Sequence, residues 1–436
     1  MAESNQVKTQ YHDPATFAGH AHWSVVEQAV RKLKEAGYQA LLAGGCVRDL
    51  LMGRTPNDFD IATNATPDQA AELFPNALTV GKAFGVTIIP QFGFQLEIAT
   101  FRADLEYKDG RRPEGVRFTS PQEDAQRRDF TINALFFDLE TGRVIDYVEG
   151  QKDITEHKIR TVGLALERFA EDKLRILRAV RFAAQLEFDI VPETLAAIHD
   201  LAHEINLVSR ERVRDELIKL LKSPGRRFGL ELLVNTGLLR SLFPDIADKV
   251  DRDWIERIDS ALQSAAENLT SLDEVTLALT LFVLPVFIHS RIESKVLKAE
   301  LSSGLKLDHQ QINAILFVAE NLGAFEEPMK TRKGELVLLL AHPAARIAEA
   351  VARVTQAKPE AAIAFLERLR SESLVDGKLP PPLVTGSDAK ALGFSPGPEM
   401  GKGLKEAQLL QLEAKIKTRQ EALEWLKKIL AAGQGI

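Results

Sequence analysis

Asp58 and Asp60 flank a single aromatic residue in the run Asp58-Phe59-Asp60. On an extended strand, residues i and i+2 share a face, so both carboxylates project together while Phe59 turns into the core. Two adjacent carboxylates repel each other, and a bridging divalent cation relieves the repulsion. Mg²⁺ suits the role because it takes oxygen ligands and keeps waters that nucleotide phosphates replace. A pair of such ions activates an attacking hydroxyl and stabilises a pyrophosphate leaving group. Alone, Asp-x-Asp equally fits a solvated strand end. The run Gly44-Gly45-Cys46-Val47-Arg48-Asp49 lies just upstream. A tight glycine turn opening into a helix sets backbone N–H groups against phosphate, and Arg48 adds a cation.

A second chemistry-bearing run is Glu171-Asp172-Lys173-Leu174-Arg175, continuing to Arg181. Leu174, Leu177 and Val180 form an apolar helical stripe, with Arg175, Arg178 and Arg181 as a parallel basic one. Asp172 and Arg175 sit three apart, a spacing that makes helical neighbours. In isolation this is an amphipathic helix with an internal ion pair. The functional reading is base selection without a nucleic-acid template. Cytosine and adenine each present an amino donor beside a ring-nitrogen acceptor, whereas uracil and guanine present the reverse. A fixed Asp acceptor beside a fixed Arg donor matches the first pair and leaves unpaired groups against the second.

With these residues in view, the stretch GGCVRDLLMGRTPNDFDIATNATP at 44–67 closely resembles the polymerase β-type nucleotidyltransferase superfamily. Within it, the chain is most similar to class II CCA-adding enzymes (tRNA nucleotidyltransferases) and the related bacterial poly(A) polymerases. Arg127-Arg128-Asp129-Phe130-Thr131-Ile132-Asn133-Ala134 matches a second motif of that family without departure. The resemblance implies that Arg128 binds the incoming triphosphate, Asp129 the ribose hydroxyls, and that Asn133 supports Asp129. It marks Glu171, Asp172 and Arg175 as the family's E-D-x-x-R motif, and adds Arg178 and Arg181 to the nucleotide site, with Gly44, Gly45 and Arg48. Leu96-Glu97-Ile98 fits a hydrophobic–acid–hydrophobic strand, where Glu97 is either a third catalytic carboxylate or structural. Near the end, Leu383-Val384-Thr385-Gly386-Ser387-Asp388, Leu392-Gly393 and Pro396-Gly397-Pro398 look like the tail by which these enzymes grip tRNA.

The implied reaction is addition of CCA, from CTP and ATP with Mg²⁺, to the tRNA 3′ end with release of pyrophosphate. Two siblings share the motifs, an A-adding specialist acting on tRNA ending in CC and a poly(A) polymerase. Poly(A) polymerases commonly end in a strongly basic extension, and this chain ends in AAGQGI. The segment Tyr107–Phe118 resembles the loop of A-capable enzymes, which disfavours a CC-only enzyme. A non-catalytic RNA-binding relic is a rival from another class, but intact Asp58 and Asp60 speak against it.

Several elements must hold these residues. Ser24 with Glu27 reads as a capping box for a helix ending near Gly37. Gln39–Ala43 reads as a strand, Val47–Met52 as a helix, and Asp58–Ala62 as a strand. Thr66-Pro67 caps the next helix. Val86–Pro90 and Phe94–Phe101 read as a hairpin around Gln91–Gly93, and Ala134–Leu139 with Val144–Tyr147 as another pair. Tyr107–Pro121 reads as a long loop. Beyond residue 148 the pattern is helical, with Thr418 and Glu421 capping the last helix. His199, Asp200 and His203 lack the further ligands that a phosphohydrolase metal site needs and read as a solvated helix.

At 436 residues the chain exceeds one compact core. The expected class is an α+β nucleotidyltransferase head with a mixed sheet, then helical domains. The boundaries read as a polar arm at 1–23, a head at 24–148, a neck with the base-recognition helix at 149–222, a body at 223–300 and a tRNA-binding tail at 301–436. Net charge is −7, so any nucleic-acid contact rests on local basic surfaces. One cysteine, no apolar run of membrane-spanning length and no apolar leader point to the cytoplasm. No membrane or obligatory protein partner is indicated.

Overall fold

The apolar run Ala40–Ala43 (β1) is buried along its whole length, so it needs partners on both edges. A computed structural model of the chain describes residues 12–17, 19–78, 85–91, 94–105, 115–265, 271–290 and 294–431. Helix α1 (Trp23–Glu35) precedes β1, and α2 (Gly45–Leu51) follows it. Next come β2 (Asp60–Thr63), α3 (Pro67–Leu73), β3 (Val86–Gln91) and β4 (Phe94–Thr100). Then follow β5 (Arg102–Asp104), β6 (Val116–Phe118), α4 (Pro121–Gln126), β7 (Leu135–Asp138) and β8 (Arg143–Asp146).

Six of these strands form one sheet in the order β3-β4-β2-β1-β7-β8. Only β2 and β4 run parallel; the other neighbours are antiparallel. The mixed sheet is therefore the expected one, and β3 and β4 pair antiparallel as the expected hairpin requires, although residues 92 and 93 of the predicted turn lie outside the described residues.

Several local expectations change. Ser24 does not cap α1: the helix starts at Trp23, His22 is the cap residue, and no side chain caps it. Burial of Trp23 against Phe17 and Phe59, with ring centroids 4.9 and 5.7 Å away, favours the earlier start. The end of the polar arm is accordingly not loose, since Phe17 is a core residue. Residues 1–11 and 18 of that arm lie outside the described residues. Thr66 does cap α3, through a reciprocal box with Gln69. The predicted loop 107–121 is partly ordered as β6, paired antiparallel with β5, and as the start of α4; residues 106–114 lie outside the described residues.

Helices dominate after residue 148: α5 (Gly150–Thr155), α6 (Ala165–Glu171), α7 (Leu174–Leu186), α8 (Pro192–Leu201), α9 (Arg210–Leu221) and α10 (Arg226–Asn235). Strand pairing does not stop there, however, because β9 (Lys158–Ile159) and β10 (Asp189–Ile190) form a short parallel ladder. The chain divides into two compact units, Met1–Asp248 and Lys249–Ile436. In the first, α7 packs on α9 and α10 with Leu174, Leu177 and Val180 buried as the stripe predicts.

The second unit is built from helices such as Arg252–Ala265, His309–Glu326 and Pro398–Leu412. Its last part has a small core of Val384, Ala389, Phe394, Ala407, Ile416 and Leu426. Thr385 and Asp388 cap one helix of that part reciprocally, and Thr418 accepts from Glu421 N–H at the start of the last. Arg332 ties this part down through Glu406 and Glu413.

Candidate active site

The glycine turn, the acidic pair and the second motif meet at one end of the sheet. Ala43, the last residue of β1, pairs with Asp60, the first of β2. The chain then turns at Gly44, with φ 77° and ψ −130°, a backbone region that glycine alone enters freely. A Cβ there would lie 3.1 Å from Arg128 Nη1 and 3.8 Å from Asp60 Oδ2. The turn thus needs glycine for its angle and for the room it leaves.

Asp58 is exposed and lies in the segment leading into β2, which begins at Asp60, later than predicted. Phe59 is 1% exposed and packs against Phe17 and Trp23, so the alternation of side chains around the pair holds. Burial, then the neighbouring charges of Asp58 and Glu97, push the Asp60 carboxyl up to about 7, against a smaller opposing pull from Arg128. Glu97 faces solvent on β4 and is the register partner of Asp60. Among the described residues no three Asp, Glu, His or Cys side chains close into a metal cage. The acidic pair instead offers the one or two carboxylates with which Mg²⁺ binds alongside a substrate's phosphates. Cys46 is buried, and its thiol is pushed up to about 12, first by burial and then by Asp60, which leaves it inert.

Arg48 is only 5% exposed, and its guanidinium donates to Asn133 Oδ1 at 2.7 Å and to Asp49. Its charge is largely committed to those partners. Arg128 is fixed by Asp124 at 3.1 Å and by the Asn133 carbonyl at 3.1 Å. Asp124 is a buried carboxylate that sequence reasoning missed, and it also binds Arg127 at 2.8 Å. Its spacing of three and four residues from the two arginines was the available signal. Asp129 accepts from Arg178 at 2.6 Å, from Phe130 N–H at 2.8 Å and from Asn133 Nδ2 at 3.3 Å. Burial alone would raise its carboxyl, but the charge and hydrogen bonds of Arg178 prevail and hold it at about 2. Asn133 thus contacts Asp129 directly.

Helix α7 changes the expected pairing. Asp172 precedes the helix in an extended conformation, so Asp172 and Arg175 are not successive positions on one helical face. Asp172 accepts from both terminal nitrogens of Arg212, at 3.2 and 2.7 Å. Arg175 donates to Glu171 at 2.5 Å and to the carbonyls of Arg168 and Arg127. Both residues still line one cleft, whereas Glu171 lines an adjoining one and serves here as a partner of Arg175 and Arg168. Arg212 was missed; only the density of arginine in Arg210-Glu211-Arg212-Val213-Arg214 hinted at it. Arg181 pairs with buried Glu216 at 2.9 Å and stacks on Phe182.

The cleft encloses about 910 Å³. It brings together Gly44, Gly45, Arg48, Asp58, Asp60, Arg128, Asp129, Asn133, Asp172, Arg175, Arg178 and Arg181. Arg127, Arg212, Lys219 and Lys222 also line it, so basic side chains outnumber acidic ones there although the chain as a whole is acidic. Glu97 is not among its lining residues. A volume of this size suits a nucleotide, and the local excess of cations suits its phosphates.

Comparison with known proteins agrees with this arrangement. Residues 40–160 match the model of the Poly A polymerase head domain. Residues 187–250 match that of a probable RNA and SrmB-binding site of polymerase A. The CCA-adding enzyme of Levilactobacillus brevis is 35% identical over 408 residues, covering 92% of this chain and 96% of that enzyme. The Bacillus licheniformis CCA-adding enzyme is 47% identical over 224 residues, covering 51% of this chain and 56% of that enzyme. Among solved structures, the Bacillus stearothermophilus CCA-adding enzyme in complex with CTP has a TM-score of 0.74 at 27% identity, covering 97% of this chain and 98% of its own. The Thermotoga maritima CCA-adding enzyme complexed with tRNA shares the fold, with a TM-score of 0.67 at 20% identity and coverage of 98% and 100%. Likeness along nearly the whole chain, and motifs that meet in one cleft, mean that the chain belongs to the CCA-adding enzyme family.

Proposed function

We propose that this chain adds cytidine, cytidine and adenosine in turn to the 3′ end of tRNA, using CTP and ATP. The observation that carries the reading is the convergence of the acidic pair, Arg128–Asp129–Asn133 and Asp172 with Arg175 in one basic cleft. In each cycle the RNA 3′-hydroxyl attacks the α-phosphorus of the nucleotide. A phosphodiester forms, the bond to the β-phosphate bridging oxygen breaks, the hydroxyl proton is lost and pyrophosphate leaves.

Asp58 and Asp60 are the residues that would hold Mg²⁺, which when bound would neutralise charge on the triphosphate and ease loss of the proton from the attacking hydroxyl. Glu97 opposite Asp60 reinforces the negative field there. Arg128, clamped by Asp124, is set to bind phosphate as a rigid fork. Asp129, ionised throughout the neutral range, is a hydrogen-bond acceptor for ribose hydroxyls. Asp172 and Arg175 read the base. Residues 24–148 serve as head, 149–222 as neck, 223–300 as body and 301–436 as the tail that holds tRNA. The cytoplasm suits a chain with one buried cysteine and no described helix long and apolar enough to cross a membrane.

The test is to supply CTP and ATP to tRNAs trimmed before CCA, after C and after CC, and to sequence the products. Completion of CCA on all three, followed by arrest, is expected. Extension of only the CC-ended tRNA would make this an A-adding specialist, and an adenosine ladder would make it a poly(A) polymerase.

A further inference from the structure

We propose that Arg212 is the positioning residue that turns Asp172 into a reader with a single open acceptor. The inference rests on the base-reading role proposed for Asp172. Oδ1 of Asp172 accepts from Leu174 N–H at 3.0 Å and from Arg212 Nη1 at 3.2 Å. Oδ2 accepts from Arg212 Nη2 at 2.7 Å. A carboxylate offers about four acceptor positions. Three are filled by protein donors, so one stays open, on Oδ2, in a side chain that lines the cleft.

Arg175 shows the complementary state. Its donors serve the Arg168 carbonyl, Glu171 and the Arg127 carbonyl. A guanidinium has five N–H groups, so about two remain. An open acceptor and an open donor lining the same cleft are what an amino group beside a ring nitrogen requires. An acceptor offered by a freely rotating carboxylate would not discriminate, because either oxygen could turn aside from an unsuitable base. The planar Arg212 fork, delivered from α9, and the Leu174 N–H at the start of α7 together fix the plane of the carboxylate. The side chains of Asp172 and Arg212 are 16% and 27% exposed, so water competes only partly for these bonds. Both terminal nitrogens of Arg212 are directed at Asp172. Arg212 acts through Asp172.

The experiment measures kcat and KM for CTP, ATP, UTP and GTP on trimmed tRNA with wild type, Arg212→Lys, Arg212→Met, Asp172→Ala and the double variant Asp172→Ala/Arg212→Met. Arg212→Met is expected to lower the preference for CTP and ATP over UTP and GTP by about 10- to 100-fold. Arg212→Lys, which keeps one charged contact, should recover part of it. The double variant should discriminate no worse than Asp172→Ala alone, because the two residues act as one unit. An equal loss of rate with all four nucleotides would show a merely structural role and overturn the proposal, as would wild-type selectivity in Arg212→Met. If Arg212→Met does not fold by circular dichroism, selectivity in Arg212→Lys decides, and an unchanged preference there overturns the proposal. Unchanged selectivity in Asp172→Ala would instead remove the base-reading role on which the proposal rests.

Discussion

Glu97 stands directly opposite Asp60 across the only parallel strand pair of the main sheet. Its charge, with that of Asp58, adds to burial in pushing the Asp60 carboxyl up to about 7. In the metal-free protein that carboxyl is half protonated near neutral pH. A cation binds only the ionised form, so the proton and Mg²⁺ compete for Asp60. The Mg²⁺ concentration needed for half-maximal transfer should therefore fall as pH rises from a unit below that value to a unit above. A requirement independent of pH across that window would contradict the assignment. Asp58→Ala and Asp60→Ala should each abolish transfer while circular dichroism stays native. Glu97→Gln should retain transfer and move the Mg²⁺ dependence to lower pH.

The same shift makes a prediction about stability. A carboxyl raised in the folded state costs the native protein as pH rises from the unfolded value of 3.8 through about 7, where the folded form must also ionise. Metal-free Asp60→Asn should thus melt higher than wild type above that pH, with the gap closing in acid. Thermal unfolding in chelator at several pH values reads it, and an Asp60→Asn curve parallel to wild type would refute the shift.

Asp129 carries the opposite sign. Arg178 holds its carboxyl at about 2, so the stabilisation is complete above the unfolded value of 3.8 and disappears as pH falls through 2. Arg178→Met leaves a largely buried carboxylate short of its charged partner, which should cost about 1–3 kcal/mol at neutral pH. Denaturant unfolding measures that loss, and CTP binding should weaken in parallel because Asp129 is no longer held. An Arg178→Met protein as stable and as tight for CTP as wild type would show that the pair does neither.

Gly44→Ala should be disproportionately harmful for the addition of one methyl group. The backbone angles at Gly44 cost a residue with a Cβ roughly 1–3 kcal/mol. The new methyl also presses on Arg128 at 3.1 Å. The expected result is a raised KM for both CTP and ATP together with a lower melting temperature. A variant with lower stability but normal KM would separate the turn from nucleotide binding.

In the second unit, deletion of residues 383–436 removes Glu406 and Glu413 from Arg332 and strips Leu409 from Gly334, whose backbone it closely approaches. Loss of tRNA affinity on truncation would thus mix lost contacts with lost packing. Arg332→Ala supplies the control, since it disturbs that packing while the tail remains. The expected outcome is a large loss of tRNA affinity on truncation, a smaller one in Arg332→Ala, and unchanged CTP affinity in both. Equal losses in the two proteins would remove the tail's proposed grip.

The sequence by itself determined most of what is local. Paired carboxylates around Phe59, a glycine turn entering a helix, and a helix cap at Thr66-Pro67 are legible because each is decided by sterics and hydrogen bonds within a few residues. The apolar stripe of Leu174, Leu177 and Val180 was legible for the same reason, since helical period alone places it. Tertiary structure decided who pairs with whom. Spacing alone made Asp172 and Arg175 partners, but the chain enters α7 only after Asp172, and the carboxylate turns instead to Arg212, forty residues on. Arg48, read as a cation for phosphate, meets Asn133 only because β1 and β7 lie side by side. Glu97 reaches Asp60 through strand register, which no window of sequence contains. A buried charge takes whichever partner the packed elements deliver, because leaving it unpaired costs more than bending any local preference.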